Sequence, residues 1–218
     1  MPDQVKTRSY RSPRREEQAA TTRAAVLDAA RTRFTSVGYA ATTVADIARD
    51  AGVSVDTVYA SVGRKPELLL CVHDMALAGG EAPVPATDRD YVGAMRQAPT
   101  AAEKLTVYAH ALAERLPHVV PLGEAMERAA EDDAACRAVW EGLQARRLAN
   151  MRHLAAELRE TGDLRDDLTD DDVAHRLWIA NSPAYYRLAT AGDRTPGDYA
   201  AHVLDTWLRT LLRRQVAD

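Results

Sequence analysis

The run Val55-Asp-Thr-Val-Tyr-Ala-Ser61 follows an abrupt corner, Ile47-Ala-Arg-Asp-Ala-Gly52-Val-Ser54. Coiled as a helix, it presents Val55, Asp56, Thr57, Ala60 and Ser61 outward. These side chains are short, so such a helix could seat deeply in a DNA major groove roughly 12 Å wide. The chemistry on offer is recognition by contact, not bond breaking. The chain carries no His-Glu-x-x-His, Gly-x-Ser-x-Gly, phosphate loop or glycine-rich dinucleotide turn. Cys71 and His73 lie two apart, which on a helix points them to different faces. Asp166, Asp167, Asp170, Asp171 and Asp172 could attract calcium, but five acids around a helix start are expected to decorate it. No catalytic residue, metal or cofactor is expected.

The corner needs particular residues around it. Ala48 is small where two helices cross. Gly52 accepts a left-handed backbone at the turn. Ile47, Val53 and Val58 are apolar where the two helices must face each other. Two helices joined this tightly make a helix-turn-helix. A first helix over 21–37 carries Val26, Leu27, Ala30, Phe34 and Val37 at spacings of three and four, and Gly38 ends it. Thr42 and Thr43 offer caps for the second helix, Ser54 caps the third, and Pro66 opens a fourth through Ala78.

The chain beyond reads helical throughout. A Gly/Pro-rich loop, residues 79–90, marks a boundary or a mobile connection. Thr100 and Glu103 open a helix to about Leu116. Pro117 and Pro121 bracket a turn before a short helix to Ala130. A long helix spans 133–160, Thr169 caps the next, Pro183 should kink it, and Thr195-Pro196 starts the last. The fold class expected is all-α, about nine helices. The expected division is a disordered basic tail over 1–18, a helix-turn-helix domain over 19–66 and a helical domain over 67–218.

Charge divides along the same line. Residues 1–70 hold 11 Lys and Arg against 8 Asp and Glu, a balance of +3; residues 71–218 hold 17 against 24, a balance of −7. A basic front on an acidic body suits a polyanion at the front. No run of 18 apolar residues and no apolar leader occurs in the sequence, so no membrane span or secretory signal is expected. Two cysteines without metal spacing fit a reduced, cytoplasmic chain.

Residues 23–74 resemble the TetR family of bacterial transcriptional regulators. The resemblance rests on the helix-one pattern, Gly38-Tyr39, Thr42-Thr43-Val44, Ile47-Ala48, Gly52-Val53-Ser54, Thr57-Val58-Tyr59 and Lys65-x-Glu67-Leu68. Val62 departs from it, standing where most members carry Phe, and keeps the position apolar. The resemblance implies DNA contacts from Thr42, Thr43, Val44, Ser54, Val55, Asp56, Thr57, Tyr59, Ala60, Ser61 and Lys65. Thr43, Tyr59 and Lys65 would hold phosphates, Val55 and Ala60 would meet thymine methyls, and Asp56 would cap its helix or accept from a cytosine amine. With no Arg, Lys, Asn or Gln on that helix before Arg64, reading would lean on methyl contacts and shape, and on Arg8, Arg11, Arg14 and Arg15 entering the minor groove.

The family's C-terminal domain implies dimerisation and a small-molecule site. The last two stripes, Val173, Leu177, Ala184 and Leu188 with Leu204, Trp207, Leu208 and Leu211, would pack across a homodimer or inside one chain. Pocket candidates are Met126, Trp140, Met151, Trp178 and Tyr185, with His110 or Arg147 orienting an acid group if turned inward. The reading is a homodimeric repressor released from a near-palindromic double-stranded operator by an effector. Its alternatives are a regulator or activator without effector, and a helical binding protein or enzyme that keeps the front fold.

Overall fold

The computed structural model describes residues 13–80 and 82–213. It contains α1 (Pro13–Ser36), α2 (Val44–Asp50), α3 (Val55–Ser61), α4 (Lys65–Ala78), α5 (Asp90–Gln97), α6 (Ala101–Asp132), α7 (Ala134–Glu160), α8 (Asp170–Ala180), α9 (Pro183–Ala189) and α10 (Pro196–Leu211). A single 3-10 turn, Ala86–Asp88, lies in the loop before α5. The described residues hold no strand, only one isolated antiparallel bridge between Leu164 and Leu212.

Local chemistry sets most of the boundaries. Thr43, Thr169 and Thr195 each close a capping box, with Asp46, Asp172 and Asp198 reaching back to the cap. Ser54 accepts from the Thr57 amide at 3.1 Å to start α3. Gly52 takes φ +67°, and the Val53 amide donates to the Ala48 carbonyl at 2.9 Å, which is how the chain turns between α2 and α3.

The capping bonds make a pH prediction. Hydrogen bonds from Thr43 and Arg49 hold the Asp46 carboxyl down at about 2, and Thr169 and Thr195 lower Asp172 and Asp198 in the same way. A depressed carboxyl stabilises the fold above its unfolded value of 3.8 and loses that contribution as pH falls through the folded value. The melting-temperature gap between the wild type and Asp46→Ala is therefore expected to be full at neutral pH and to narrow as pH falls from 4 toward 2. A gap constant with pH would mean that the Asp46 charge plays no part.

Three boundaries differ from the sequence expectation. Helix α1 starts at Pro13, so Arg14 and Arg15 belong to a helix; Lys6, Arg8 and Arg11 lie outside the described residues. Helix α6 runs unbroken through Pro117 and Pro121 for 32 residues, roughly 48 Å. Each proline removes one amide donor, but α4, α5, α7, α9 and α10 all pack on α6, and the helix continues through both prolines. Pro183 does not kink a helix. Ser182 is extended and caps, and Pro183 is the first residue of α9, where its missing N–H has no helical partner to lose.

Two cores result. One gathers Val26, Leu27, Phe34, Ile47, Val58, Leu68, Leu69, Val72 and Met75 with Leu122 and Met126 of α6 and Leu143 of α7. The other lies among α5 to α10, around Leu105, Tyr108, Leu112, Leu154, Leu158, Leu177, Tyr199 and Trp207. Helix α4 serves both sides. Leu68, Leu69, Val72 and Met75 enter the first core, while His73 and Leu77 line a partly open pocket. Arg146 of α7 grips Asp74 of α4 through two hydrogen bonds, at 2.9 and 2.6 Å.

Candidate nucleic-acid interface and internal cavity

Helices α1, α2 and α3 hold one another through Ile47, Ala48 and Val58, all buried. Arg33 of α1 clamps Asp50 at the end of α2 with two hydrogen bonds, at 2.5 and 3.0 Å. Arg23 of α1 donates to the Ser61 carbonyl and ties down the far end of α3. The outer face of α3 is left to solvent. Asp56, Tyr59 and Ala60 are exposed there, and so are the caps Thr43 and Ser54.

The eleven candidate DNA contacts do not stand alike. Thr42 is 1% exposed and its hydroxyl donates to the Gly38 carbonyl at 2.8 Å, so it braces the turn and is withdrawn from the surface. Val44 and Val55 are half-buried against the first core. Thr57 is half-buried, its hydroxyl 2.8 Å from that of Ser54; Ser61 donates to the Val58 carbonyl at 3.2 Å. The Thr43 hydroxyl donates to Asp46 at 2.7 Å, so an incoming phosphate oxygen competes with that carboxylate. Asp56 does not cap α3, a task that Ser54 performs.

Lys65 is anchored by an aromatic contact. Its ammonium stands 4.1 Å above the centre of the Tyr39 ring, and burial lowers its pKa from the ordinary lysine value. Tyr39 in turn packs on Phe34 and brings its hydroxyl within 3.2 Å of the Cys136 sulfur on α7. Burial first, then that sulfur, raise the Tyr39 pKa. A side chain at the mouth of the corner is thus connected to the second half of the molecule.

A partly open pocket of about 270 Å³ lies among α4, α5, α6 and α7. Of the seven candidates, Trp140, Arg147 and Met151 line it. Trp178 flanks it, its ring 5.6 Å from the Arg147 guanidinium and its buried indole N–H without a partner. His110 is exposed on the outer side of α6 and Met126 is fully buried in the other core, so neither faces the cavity. Tyr185 stacks on His202 away from it, its hydroxyl 3.0 Å from the imidazole Nε2. The sequence reading missed Arg89, Tyr91, Tyr108 and Asn181, all of which line the cavity. Arg89 is 8% exposed although it comes from the Gly/Pro-rich loop, and nothing in a loop sequence marks one arginine for burial.

The terminal stripes also need correcting. Val173, Leu177, Trp207 and Leu211 are buried inside their own chain, where Trp207 stacks on Tyr108 at 5.8 Å. Their periodicity reported a covered face, and α6 and α7 provide the cover. Ala184 and Leu188 are exposed, Leu188 at 75%, and Leu204 and Leu208 are half-buried. The acid cluster is taken up by arginines and a cap. Asp166 meets Arg213, Asp167 meets Arg165, Asp170 meets Arg159, Asp171 meets Arg152, and Asp172 caps α8. Among the described residues no group of three His, Cys, Asp or Glu is placed to hold a metal, and no helix is long and apolar enough to cross a membrane.

A compact helix-turn-helix joined to a larger helical body defines a class of protein. Residues 26–71 match the family model described as bacterial regulatory proteins, tetR family. The chain therefore carries a tetR-family N-terminal domain, and it has the fold of tetR-family transcriptional regulators. A candidate transcriptional regulator from Saccharomonospora viridis, in complex with choline, superposes with a TM-score of 0.67 at 18% identity, over 89% of this chain and 100% of that one. A candidate TetR-family regulator from Rhodococcus sp. gives 0.65 at 19% identity, over 86% and 96%. The SmeT–triclosan complex gives 0.62 at 21% identity, over 90% and 94%; SmeT is described as the repressor of the Stenotrophomonas maltophilia efflux pump SmeDEF. No significant match was found among curated proteins.

Proposed function

We propose that this protein is a homodimeric transcriptional repressor whose hold on a near-palindromic operator is released by a small molecule bound in the α4–α8 cavity. The observation that carries the reading is the free outer face of α3, short in side chain apart from Tyr59 and braced from behind by α1. Thr43, Ser54, Tyr59 and Lys65 ring that face with donors suited to phosphate, and Val55, Thr57, Ala60 and Ser61 supply the groove-facing surface. The exposed Ile179 and Leu188, with the half-buried Leu204 and Leu208, supply apolar surface for a partner copy. A dimer sets two recognition helices about 34 Å apart, one turn of DNA. The cavity favours effector control over a regulator without effector, and the choline and triclosan complexes of similar structures support small-molecule binding by such a body. An effector that prefers the DNA-incompetent state by about 2.7 kcal/mol releases the operator about 100-fold.

Fluorescence anisotropy on DNA from just upstream of its own gene, with excess competitor and at several salt concentrations, tests the reading. Two protomers per site and competitor-resistant binding are expected. An Ile179→Lys, Leu188→Lys double variant should sediment as a monomer, show a melting temperature that no longer depends on protein concentration, and bind that DNA more weakly. Failure of a random-sequence selection to yield any preferred site would sink the proposal.

A further inference from the structure

The cavity's charge is unbalanced. Its wall includes Arg89, Arg96 and Arg147 against one acid, Glu157, which pairs with Arg96 at 3.9 Å. Of these cations, Arg89 and Arg147 meet no carboxylate among the described residues. Arg147 donates to Gln144 at 2.5 Å, to the Trp178 carbonyl at 3.2 Å and to Asn181, all neutral acceptors. Arg89 donates only weakly, to the Tyr91 hydroxyl at 3.4 Å, and its buried Nε has no partner. The imidazoles in the wall are His73, which lies 3.4 Å from Asp74, and His153.

Arg115 gives the contrast in charge. It is as buried as Arg89 and its Nε too lacks a partner, yet its guanidinium reaches the carboxylates of Asp90 at 2.6 Å and Glu114 at 3.0 Å, while Arg89 and the half-buried Arg147 reach none. A guanidinium withdrawn from water without a counter-charge is destabilising, and an incoming anion relieves that. Burial pushes the Arg147 pKa down from the ordinary arginine value, in keeping with a charge that lacks a counter-ion. Tyr108, between α5 and α8, feels both guanidiniums, which offset part of the rise that burial imposes on its hydroxyl. Most of the remaining wall is apolar, including Val92, Met95, Leu112, Leu116, Leu143 and Leu154, with Thr87 and Asn150 as further neutral polar groups.

We infer that the cavity is built for a small organic acid, an apolar body with one carboxylate held by Arg89 and Arg147 beside Tyr108. This rests on the effector reading and names the ligand class. A volume of 270 Å³ equals that of roughly nine liquid waters, which suits an acid of about ten to fifteen non-hydrogen atoms. Charge-assisted, forked hydrogen bonds from arginine distinguish a carboxylate from its amide.

The test is calorimetric titration of the full chain with 2-naphthoate, 2-naphthamide and 2-naphthylmethylamine, alongside 4-phenylbutanoate and its amide. The acids are expected to bind at least about tenfold tighter than the amides, and the amine not at all. Arg147→Gln and Arg89→Met should each reduce the acid-over-amide preference to about threefold or less. Arg89→Met should do so without lowering the melting temperature, because it removes a buried charge that has no counter-charge. The acid–amide comparison in the wild type stands even if a variant misfolds. Equal or tighter binding of amide or amine overturns the inference, as does a lack of binding by every probe. Operator release is read separately by anisotropy. Acid-selective binding that leaves the DNA complex intact upholds the anion site and overturns effector-driven release.

Discussion

Replacing Ala60 by glutamate is expected to weaken operator binding about 100-fold at fixed salt, while thermal stability stays within about 0.5 kcal/mol of wild type. Ala60 is exposed on the outer face of α3, so the longer side chain meets no protein wall. Glutamate is a good helix former, and α3 keeps its Ser54 cap. Against DNA the same carboxylate faces two phosphate backbones in a groove that α3 can enter only because its side chains are short, so repulsion and steric bulk act together. Anisotropy with the variant at the concentrations used for the wild type measures the loss. Unchanged affinity with an unchanged salt slope would show that α3 does not enter the groove, and the proposed interface would have to move elsewhere on the front domain.

A second large effect is expected from Trp207→Ala. Trp207 of α10 is 1% exposed, stacked on Tyr108 of α6 and part of the second core. Truncating such an indole removes its buried apolar area and leaves a cavity that the packed helices fill only in part, a loss of about 3–5 kcal/mol. For a chain of this size that corresponds to roughly 10 °C in melting temperature. Trp207→Phe keeps a ring against Tyr108 and should lose less than half as much. The measurement also separates two meanings of one sequence pattern. A residue at a subunit interface would, on truncation, lower the dimerisation constant and spare the protomer; a residue in the protomer core lowers the melting temperature at every protein concentration. A variant that melts like the wild type but sediments as a monomer would return Trp207 to the interface.

The parts of the molecule legible in its sequence were those governed by neighbours along the chain. Gly38 and Gly52, the caps Thr43, Ser54, Thr169 and Thr195, and the apolar spacing in α1 each act within one helical turn. The helix-turn-helix followed from them because its fold is nearly all local. What was illegible depended on distant partners. The stripe of Val173, Leu177, Trp207 and Leu211 showed that a face is covered without showing that α6 and α7 cover it. Met126 and Met151 are chemically the same and lie in different cores. Arg89 belongs to a loop that reads as punctuation, yet it is 8% exposed and stands in the cavity wall. Pro117 and Pro121 predicted a break that tertiary packing overrode.

The first core does not stop at the loop over 79–90. It closes over Leu122, Met126 and Leu143, which belong to the second half of the chain. The front end is therefore not a portable cassette. A recombination event joining this head to another body at that loop would bare Leu69, Val72 and Met75 unless the new body supplied apolar side chains in the same places. Shuffling of such halves in evolution, or in an engineered chimaera, has to carry matching patches from α6 and α7 along with the head. If the proposed DNA face and ligand pocket act as proposed, the two surfaces are inherited together through the core that joins them.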